Sequence, residues 1–567
     1  LNDAFGHKEG LHCVYNHHEQ ACAIAAEGYA RLTGKIAPVC VTTGPGGTNA
    51  LTGVAAAFIE STPMIVISGQ VKISDQIRNQ NIRQQGMQEL NIISMVKEVT
   101  KYSVMITEPH SIKYHLDKAL YEATSGRKGP VWLDIPLDIQ ATMIDEDKLY
   151  SYEEPMEFYD NLDKKVTEVI NCLNSSIRPV ILAGNGIRLA NGISEFHELI
   201  KILNIPILTS WNGIDLIEEN NQLYYGRPGG LGHRYANFIQ QNSDLFLSIG
   251  ARLNLLQTGY NFDGFAREAK KIMVDIDRNE LHKINVRPDI AICADALTFM
   301  KALIKRKDEI ITIDRKEWFS YCDKVRNKYP LISKEYYETE EVNTYLLVDK
   351  ISEEMSENDI YVSGSSGSCI DISMQGFKVK AGQRVFTTKG LASMGYGLPS
   401  TIGAALASNR RKVVCVNGDG GFQMNIQELQ TIKRLNLPVK IFVLNNAGYA
   451  AIKGTQTNLF NGNLVICDMN SGLTMPELDG IAKAYKLRYV KISSNHELDN
   501  KVSEVIQGDD PVICEVIVPI DLKIFPKQVS YKNNQGQMES LPLEYLNPML
   551  EEAEFLENMI IPIYKKE

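Results

Sequence analysis

Residues 412–448 read KVVCVNGDGGFQMNIQELQTIKRLNLPVKIFVLNNAG. KVVCVNG is an apolar run ending at glycine, FQMNIQELQTIKRL carries apolar residues at helical spacing, and PVKIFVLNN is a second run of strand length. Strand, helix and strand in that order make one βαβ unit with parallel strands. Gly418-Asp419-Gly420 and Asn445-Asn446, separated by 24 residues (421–444), then follow neighbouring strands onto one sheet edge. A carboxylate, an amide oxygen and a nearby backbone carbonyl are the hard oxygen ligands that suit Mg²⁺, which keeps further sites for phosphate oxygens and water. Gly420 and Gly421 open the helix, where bare N–H groups and the helix dipole favour phosphate. A tight turn with a chance Asn-Asn would carry the same letters. The spacing, and Gly448 two residues beyond Asn446, favour the ligand reading.

The same alternation extends along the chain. Apolar runs PVCVTT, PMIVISG, PVWLDIP, PVILAG, DLFLSIG, KIMVDID and PVICEVIV alternate with helix-length segments. Such runs are those of parallel strands covered on both faces. Many end in small or polar residues (TTGPGG, SGQ, AGNG, IGAR, SGSSGS, NGDGG, NNAG), and in open α/β sheets ligands sit beyond these strand ends. The expected fold is therefore α/β, with three doubly wound parallel-sheet domains near 1–148, 163–308 and 345–530 and a tail over 531–567. Two charged stretches without apolar period, 145–165 and 305–345, read as linkers.

Composition bounds the chemistry. The 567 residues hold 59 Lys and Arg against 69 Asp and Glu, a formal charge of −10, which favours neither nucleic acid nor an anionic membrane. No apolar run has the length of a membrane span. Ten scattered cysteines without a CxxC pair argue against a zinc site or disulfide scaffold and for a reducing, cytoplasmic setting. Because the first residue is Leu1 and an element starts almost at once, the first domain reads as N-terminally incomplete.

With GDG, 24 residues and NN in place, the sequence resembles the thiamine-diphosphate (ThDP) dependent decarboxylases and acetolactate synthases, over essentially its whole length. The resemblance implies three domains in order: one that binds the pyrimidine of ThDP, a central one, and one that binds the diphosphate and Mg²⁺. Asp419, Asn446 and the Gly448 carbonyl would then hold Mg²⁺ against the diphosphate, with Gly418, Gly420, Gly421 and Tyr449 around it. Asn16-His17-His18-Glu19-Gln20 precedes the Ala-rich helix ACAIAAEGYARLTGK. A lone Glu there is an ordinary helix-start acid, but the family places at this position the acid that hydrogen-bonds the aminopyrimidine. His17 and His18 read as structural. Thr42-Thr43-Gly44-Pro45-Gly46-Gly47-Thr48-Asn49 is by itself a Gly-Pro turn with a Thr cap; the resemblance lays Pro45 and Asn49 along the pyrimidine. In TTKGLASMGYGLPSTIGAALA, Met394 would wedge beneath ThDP, and the Ala392 carbonyl would accept from its amino group. Gly367-Ser368-Cys369 would contact the diphosphate, although the family's more familiar Gln and His are absent there.

Gly28–Lys35 mimics a P-loop but lacks its spacing and its Ser or Thr, and Gly184-Asn185-Gly186 lacks the third Gly of a dinucleotide fingerprint. Decarboxylases of the family carry a His-His pair in the first domain and a Glu soon after Asn-Asn. Here those stretches read RQQGMQEL (83–90) and NNAGYAAIK, with Ile452 where the Glu would sit. Ligation to a carbonyl acceptor is favoured over aldehyde release, and Gln88 joins Glu19 as a candidate catalytic residue. Leu256 falls where acetohydroxyacid synthases have a carboxylate-binding Arg, and Thr455 replaces a Trp. Two acceptors stay open on this pattern: a second 2-keto acid, giving acetolactate, or a keto sugar of polysaccharide biosynthesis. The middle domain resembles the FAD-binding one of the synthases, with Gly184, Gly186, Gly230, Gly232, Arg252, Asp275 and Asp277 after its strands, or is a vestige without flavin. A non-catalytic ThDP- or FAD-binding scaffold and a flavin-linked oxidase are the alternatives from other classes. The implied cofactors are thus ThDP, Mg²⁺ and FAD; the implied partners are a 2-keto acid (pyruvate first), a carbonyl acceptor, and a second copy of the chain in a homodimer or homotetramer.

Overall fold

The computed structural model describes residues 1–77, 81–155, 161–283, 285–365, 367–533 and 535–565; Ser366 of the SGSSGS loop and 156–160 of the first charged stretch lie outside them. Three sheets carry the chain. The first comprises β1 (Ala37–Val41), β2 (Met64–Gln70), β3 (Tyr102–Met105) and β4 (Pro130–Pro136), ordered β1-β2-β4-β3. The second comprises β5 (Pro179–Ala183), β6 (Ile207–Thr209), β7 (Leu245–Ile249), β8 (Lys270–Asp275) and β9 (Ile290–Cys293), ordered β6-β5-β7-β8-β9. The third comprises β10 (Ile360–Ser363), β11 (Arg384–Phe386), β12 (Val413–Gly418), β13 (Val439–Asn445), β14 (Arg488–Ile492) and β15 (Val512–Ile517), ordered β11-β10-β12-β13-β15-β14. The strand pairs β1/β2, β2/β4, β5/β7, β7/β8, β12/β13 and β13/β15 are all parallel. This is the α/β class expected from the unbroken apolar runs. β12 and β13 are buried nearly throughout, as strands covered on both faces must be.

The chain forms two compact units. One holds 1–156, 358–370 and 386–521, and so contains the first sheet and β10, β12, β13, β14 and β15 of the third. Within it the helix Glu19–Thr33 packs on the helix Gly397–Ala407 through small residues. A Cβ on Gly403 would run into the Ala25 carbonyl oxygen, and one on Gly28 into that of Ser400. Ile24 joins the apolar core of the third sheet from this helix. Beside the crossing, Arg31 is buried against Glu27 at 2.7 Å and Glu60 at 3.7 Å, and Glu60 accepts the Gly390 N–H at 2.7 Å. The charged stretch after the first sheet docks through its tyrosines: Tyr150 and Tyr152 pack on Tyr114, and Tyr152 also meets Tyr121, on the helix Ile112–Thr124.

The helix-periodic stretch 422–435 is not one helix. A short helix Asp419–Gln423 ends at Met424, Asn425 turns left-handed (φ 70°), and the helix Leu429–Leu435 follows a 3₁₀ turn. The Asn425 amide donates to the Gly395 carbonyl at 3.0 Å, a bond that regular helix would not present.

The other unit holds 157–357, 371–385 and 522–567. In the charged stretch 305–345 the helix Lys316–Lys328 buries Trp318, Cys322 and Val325, one face at helical spacing, in the core of the second sheet. The helix Arg234–Gln241 is polar yet wholly buried, because its amides bind the C-terminal tail. Asn237 donates to the Leu543 carbonyl at 2.7 Å, Gln241 donates to Glu544 at 2.6 Å, and the neighbouring Asn242 side-chain oxygen accepts the Ile560 N–H at 2.7 Å. Arg267 pairs with Glu544 at 2.7 Å. All ten cysteines are free thiols, and among the described residues no helix is long and apolar enough to cross a membrane.

Candidate active site

In the third sheet the chain leaves β10 for β11 on one side and returns to β12 on the other. Loops after β10 and β12 therefore flank a crevice at the carboxyl edge, where open α/β sheets bind ligands. Asp419 stands there, 3% exposed. Its carboxylate accepts the N–H of Gly420 at 2.7 Å and that of Gly448 at 3.1 Å. The Asn446 side-chain oxygen accepts the same Gly448 N–H at 3.2 Å, so the Asp419 and Asn446 oxygens meet at one backbone group, as the βαβ reading requires. Left-handed Ala447 (φ 56°) makes the turn between them. Burial, against the bonds from Gly420 and Gly448, pushes the Asp419 carboxyl up to about 6. A buried carboxylate beside an amide oxygen, with no cationic partner among the described residues, has the donor set and the unmet charge that Mg²⁺ fits. Among the described residues no group of three or more His, Cys, Asp or Glu could hold a metal, so a site at Asp419 is one of mixed carboxylate, amide and carbonyl oxygens.

The face of Gly420 is bare by necessity. A Cβ there would strike the Tyr449 ring and approach the Met394 Cε at 3.2 Å. Met394 and Tyr449 thus converge over the GDG turn. Ala392 is left-handed (φ 56°) and Gly395 follows at φ 88°, so the strap that carries Met394 is bent on both sides of it and pinned by Asn425. Gly421 lies buried in the first turn after Gly418 and Asp419. Gly367 (φ 54°) opens the helix Gly367–Gly376, with Ser368 next and Cys369 buried.

A second group forms on the first sheet. Glu19 begins its helix behind His18, whose Nδ1 accepts the Gln20 N–H at 3.2 Å; His18 is a helix cap. The Asn49 amide donates to the Glu19 carboxylate at 3.0 Å. Pro45 opens the helix Pro45–Ile59 behind Gly44 (φ 64°), and a Cβ on Gly44 would fall 2.5 Å from the Gln88 carbonyl oxygen. Gln88 is exposed and left-handed (φ 64°). The segment 44–49 therefore touches the Gln88 backbone at one end and Glu19 at the other. Reading the sequence alone missed Thr43, Gln70, Asp134 and Asn425; the SGQ and DIP strand ends were the available signal.

In the second sheet the switch point falls between β5 and β7; of the candidate flavin residues, Gly184 and Gly186 follow β5 and Arg252 follows β7, whereas Asp275 and Asp277 lie at the end of β8 and Gly230 and Gly232 in the segment ahead of the helix Arg234–Gln241. Their glycines serve backbone packing: a Cβ on Gly184 or Gly186 would collide with the Gly250 backbone, and one on Gly232 with the Gly229 N and the Pro228 carbonyl carbon. Gly230 donates to the Leu256 carbonyl at 2.8 Å. Arg252 is left-handed (φ 61°). Asp275 accepts the Asp277 N–H at 3.0 Å, and Asp277 caps the helix Arg278–Leu281 through the Asn279 N–H at 2.9 Å.

Comparisons with known proteins agree with this arrangement of sheets. The chain matches the N-terminal TPP binding domain of thiamine pyrophosphate enzymes over 1–95, their central domain over 166–303, and their C-terminal TPP binding domain over 366–516. It is 32% identical over 540 residues to a probable acetolactate synthase large subunit of Methanococcus aeolicus, covering 91% of this chain and 87% of the relative. The acetolactate synthase large subunit of Cyanidium caldarium is 30% identical (92% and 88% covered), and the chloroplastic acetolactate synthase 1 of Zea mays is 30% identical (90% and 81%). Three matched domains in order, and identity spread over nine-tenths of the chain, place it among the thiamine-diphosphate enzymes, as a member of the acetolactate synthase large-subunit family.

Proposed function

We propose that the chain decarboxylates a 2-keto acid, pyruvate first, and transfers the acyl unit to a carbonyl acceptor. The observation that carries this is the meeting of Asp419 and Asn446 at the Gly448 N–H, with Met394 and Tyr449 over Gly420. Asp419, Asn446 and the Gly448 carbonyl would hold Mg²⁺, and the first turns at Gly420–Gly421 and at Gly367–Ser368–Cys369 would face the diphosphate. Thiamine diphosphate, when bound, supplies the carbon that takes the acyl unit as CO₂ leaves. Glu19 would hold a proton at the aminopyrimidine ring, with Asn49 fixing the direction of its carboxyl group. Pro45, Ala392 and Met394 would orient the ring. Over the whole reaction the keto acid's bond between carbonyl carbon and carboxylate breaks and CO₂ leaves, a carbon–carbon bond to the acceptor carbonyl forms, and the acceptor oxygen takes up a proton; Gln88 would lie beside the reacting carbon. Ile452 cannot deliver a proton to carbon, which favours ligation over aldehyde release.

A second reading concerns the acceptor. Leu256 and Thr455 stand where an Arg and a Trp would serve a keto-acid acceptor. Loss of a charge-assisted bond worth roughly 1.5–3 kcal/mol weakens a carboxylate acceptor by about 10- to 100-fold. An uncharged keto sugar loses nothing. In the middle domain, Arg252, Asp275 and Asp277 follow the carboxyl ends of β7 and β8, the side of an α/β sheet where FAD would bind; because the glycines already have a packing role, only the visible flavin band of the purified protein tests that assignment. The deciding experiment supplies pyruvate, ThDP and Mg²⁺ with equal 2-ketobutyrate and a nucleotide-linked 4-keto sugar, and identifies products by mass spectrometry. Acetolactate or another C–C ligation product is expected. Acetohydroxybutyrate without any branched sugar removes the keto-sugar reading, and release of acetaldehyde alone overturns ligation.

A further inference from the structure

We propose that Asp134 is a positioning residue for this reaction, acting through Gln70 to fix the backbone that carries Gln88. This rests on Gln88 working beside the reacting carbon, as proposed above.

Asp134 lies on β4 and is 1% exposed. Its two oxygens are engaged from β2: Ser68 Oγ donates to one at 2.6 Å and Gln70 Nε2 to the other at 3.0 Å. Ser68 in turn accepts the Trp132 indole N–H at 2.8 Å. Gln70 is saturated. Its second amide hydrogen goes to the Leu90 carbonyl at 2.9 Å, and its oxygen accepts the Val71 N–H and the Thr43 hydroxyl, both at 3.0 Å. Thr43 Oγ also lies 3.4 Å from the Gln88 carbonyl, and the next residue, Gly44, presses against that same oxygen.

Gln70 is thus the point where β2, the segment 43–49 and the loop 81–91 are tied together. Its amide could rotate by half a turn, exchanging donor for acceptor. A carboxylate accepts only, so Asp134 permits one orientation, the one that gives a donor to Leu90 and an acceptor to Thr43. The far end of that loop is set separately by Glu89, which accepts the N–H groups of Ile77, Gln85 and Gly86 at 2.7, 2.9 and 3.0 Å. Gln88, left-handed between these two anchors, has its backbone fixed from both sides. An acid on a sheet interior that pairs with no cation among the described residues is otherwise a poor choice there.

The test compares Asp134→Leu, Asp134→Asn, Thr43→Val, Gln88→Ala and the double variant Asp134→Leu/Gln88→Ala in the full chain with ThDP and Mg²⁺. It reads kcat, KM for pyruvate and ThDP affinity. Asp134→Leu and Thr43→Val should each lower kcat by about 10- to 100-fold, the effect of misplacing a group by an ångström, with ThDP affinity within about twofold. Asp134→Asn should retain most activity, since its amide oxygen can still receive Gln70. The double variant should be no slower than Gln88→Ala alone. If instead the two losses multiply, or Asp134→Asn is as damaging as Asp134→Leu, Asp134 serves the fold alone and the proposal falls. Should Gln88→Ala turn over at the unsubstituted rate, the assignment of Gln88 fails and takes this proposal with it. If Asp134→Leu does not fold, the Thr43→Val/Gln88→Ala cycle decides by the same criterion.

Discussion

Two carboxyl groups have opposite surroundings at the scale of single residues. Glu19 is half-buried and accepts the Asn49 amide. Replacing it by Gln keeps shape and the Asn49 contact but removes the carboxyl group. Glu19→Gln should therefore lower turnover by ~10²-fold or more with an unchanged melting temperature, and near-normal turnover would take Glu19 out of the mechanism. Asp134 is the opposite case, a carboxyl held between Ser68 and Gln70 whose burial pushes it up to about 6. The stability gained from keeping its proton is fully present below the ordinary carboxylate value, about 4, and is lost as pH rises through about 6. Asp134→Asn stays neutral throughout. Its unfolding free energy relative to the native chain should rise between pH 4 and 7, by up to roughly 3 kcal/mol, and level off above. Urea titrations at pH 5 and 7.5 measure this; a difference that shrinks with pH would show that Asp134 is not the titrating group.

Secondary-structure elements meet most closely where the helices Glu19–Thr33 and Gly397–Ala407 cross. Gly403→Ala must push its methyl into the Ala25 carbonyl oxygen, and should cost about 1–3 kcal/mol or more. Gly480→Ala is the control: it sits in the exposed helix Leu478–Ala484 with open space around it and should stabilise by up to about 1 kcal/mol. Differential scanning calorimetry on the pair should give melting shifts of opposite sign. The same elements show what a sequence can and cannot disclose. Long runs buried on both faces, such as KVVCVNG and KIFVLNN, are unmistakable because four consecutive positions, VVCV and IFVL, are apolar without alternation. β3 is only partly buried along its length, and β6 and β11 are three residues each, so none leaves a pattern above background. Helical spacing in 422–435 continues straight through Asn425; only the bond to Gly395 marks the break. Asp419 and Asn446 were legible because one crossover links them. Gln70 and Asp134 lie 64 residues apart, and only strand register brings them together.

For the whole molecule, the candidate residues fall into two groups, one around Glu19, Asn49 and Gln88, the other around Asp419, Asn446 and Met394. Near the second, Leu459, Phe460, Val465, Ile466 and Met469 are exposed apolar side chains close in sequence, the kind of surface that association between copies would cover. We expect a dimer or tetramer in which copies share their sites. Analytical ultracentrifugation with a parallel assay should show activity confined to the associated species; a fully active monomer would overturn this.

Neither compact unit is continuous along the chain. The first is begun before residue 156 and finished only by 386–521, and the second waits for 522–567. The amides of Asn237, Gln241 and Asn242 are buried by bonds to residues 543–560, some three hundred positions further along the chain. Domains ordinarily fold as units during synthesis, but here the helix Arg234–Gln241 has no satisfactory resting place until the segment 543–560 has been made. A nascent chain stalled before residue 543 would hold those amides out to solvent, and deleting 543–560 would disturb the interior of the second sheet's unit rather than its edge.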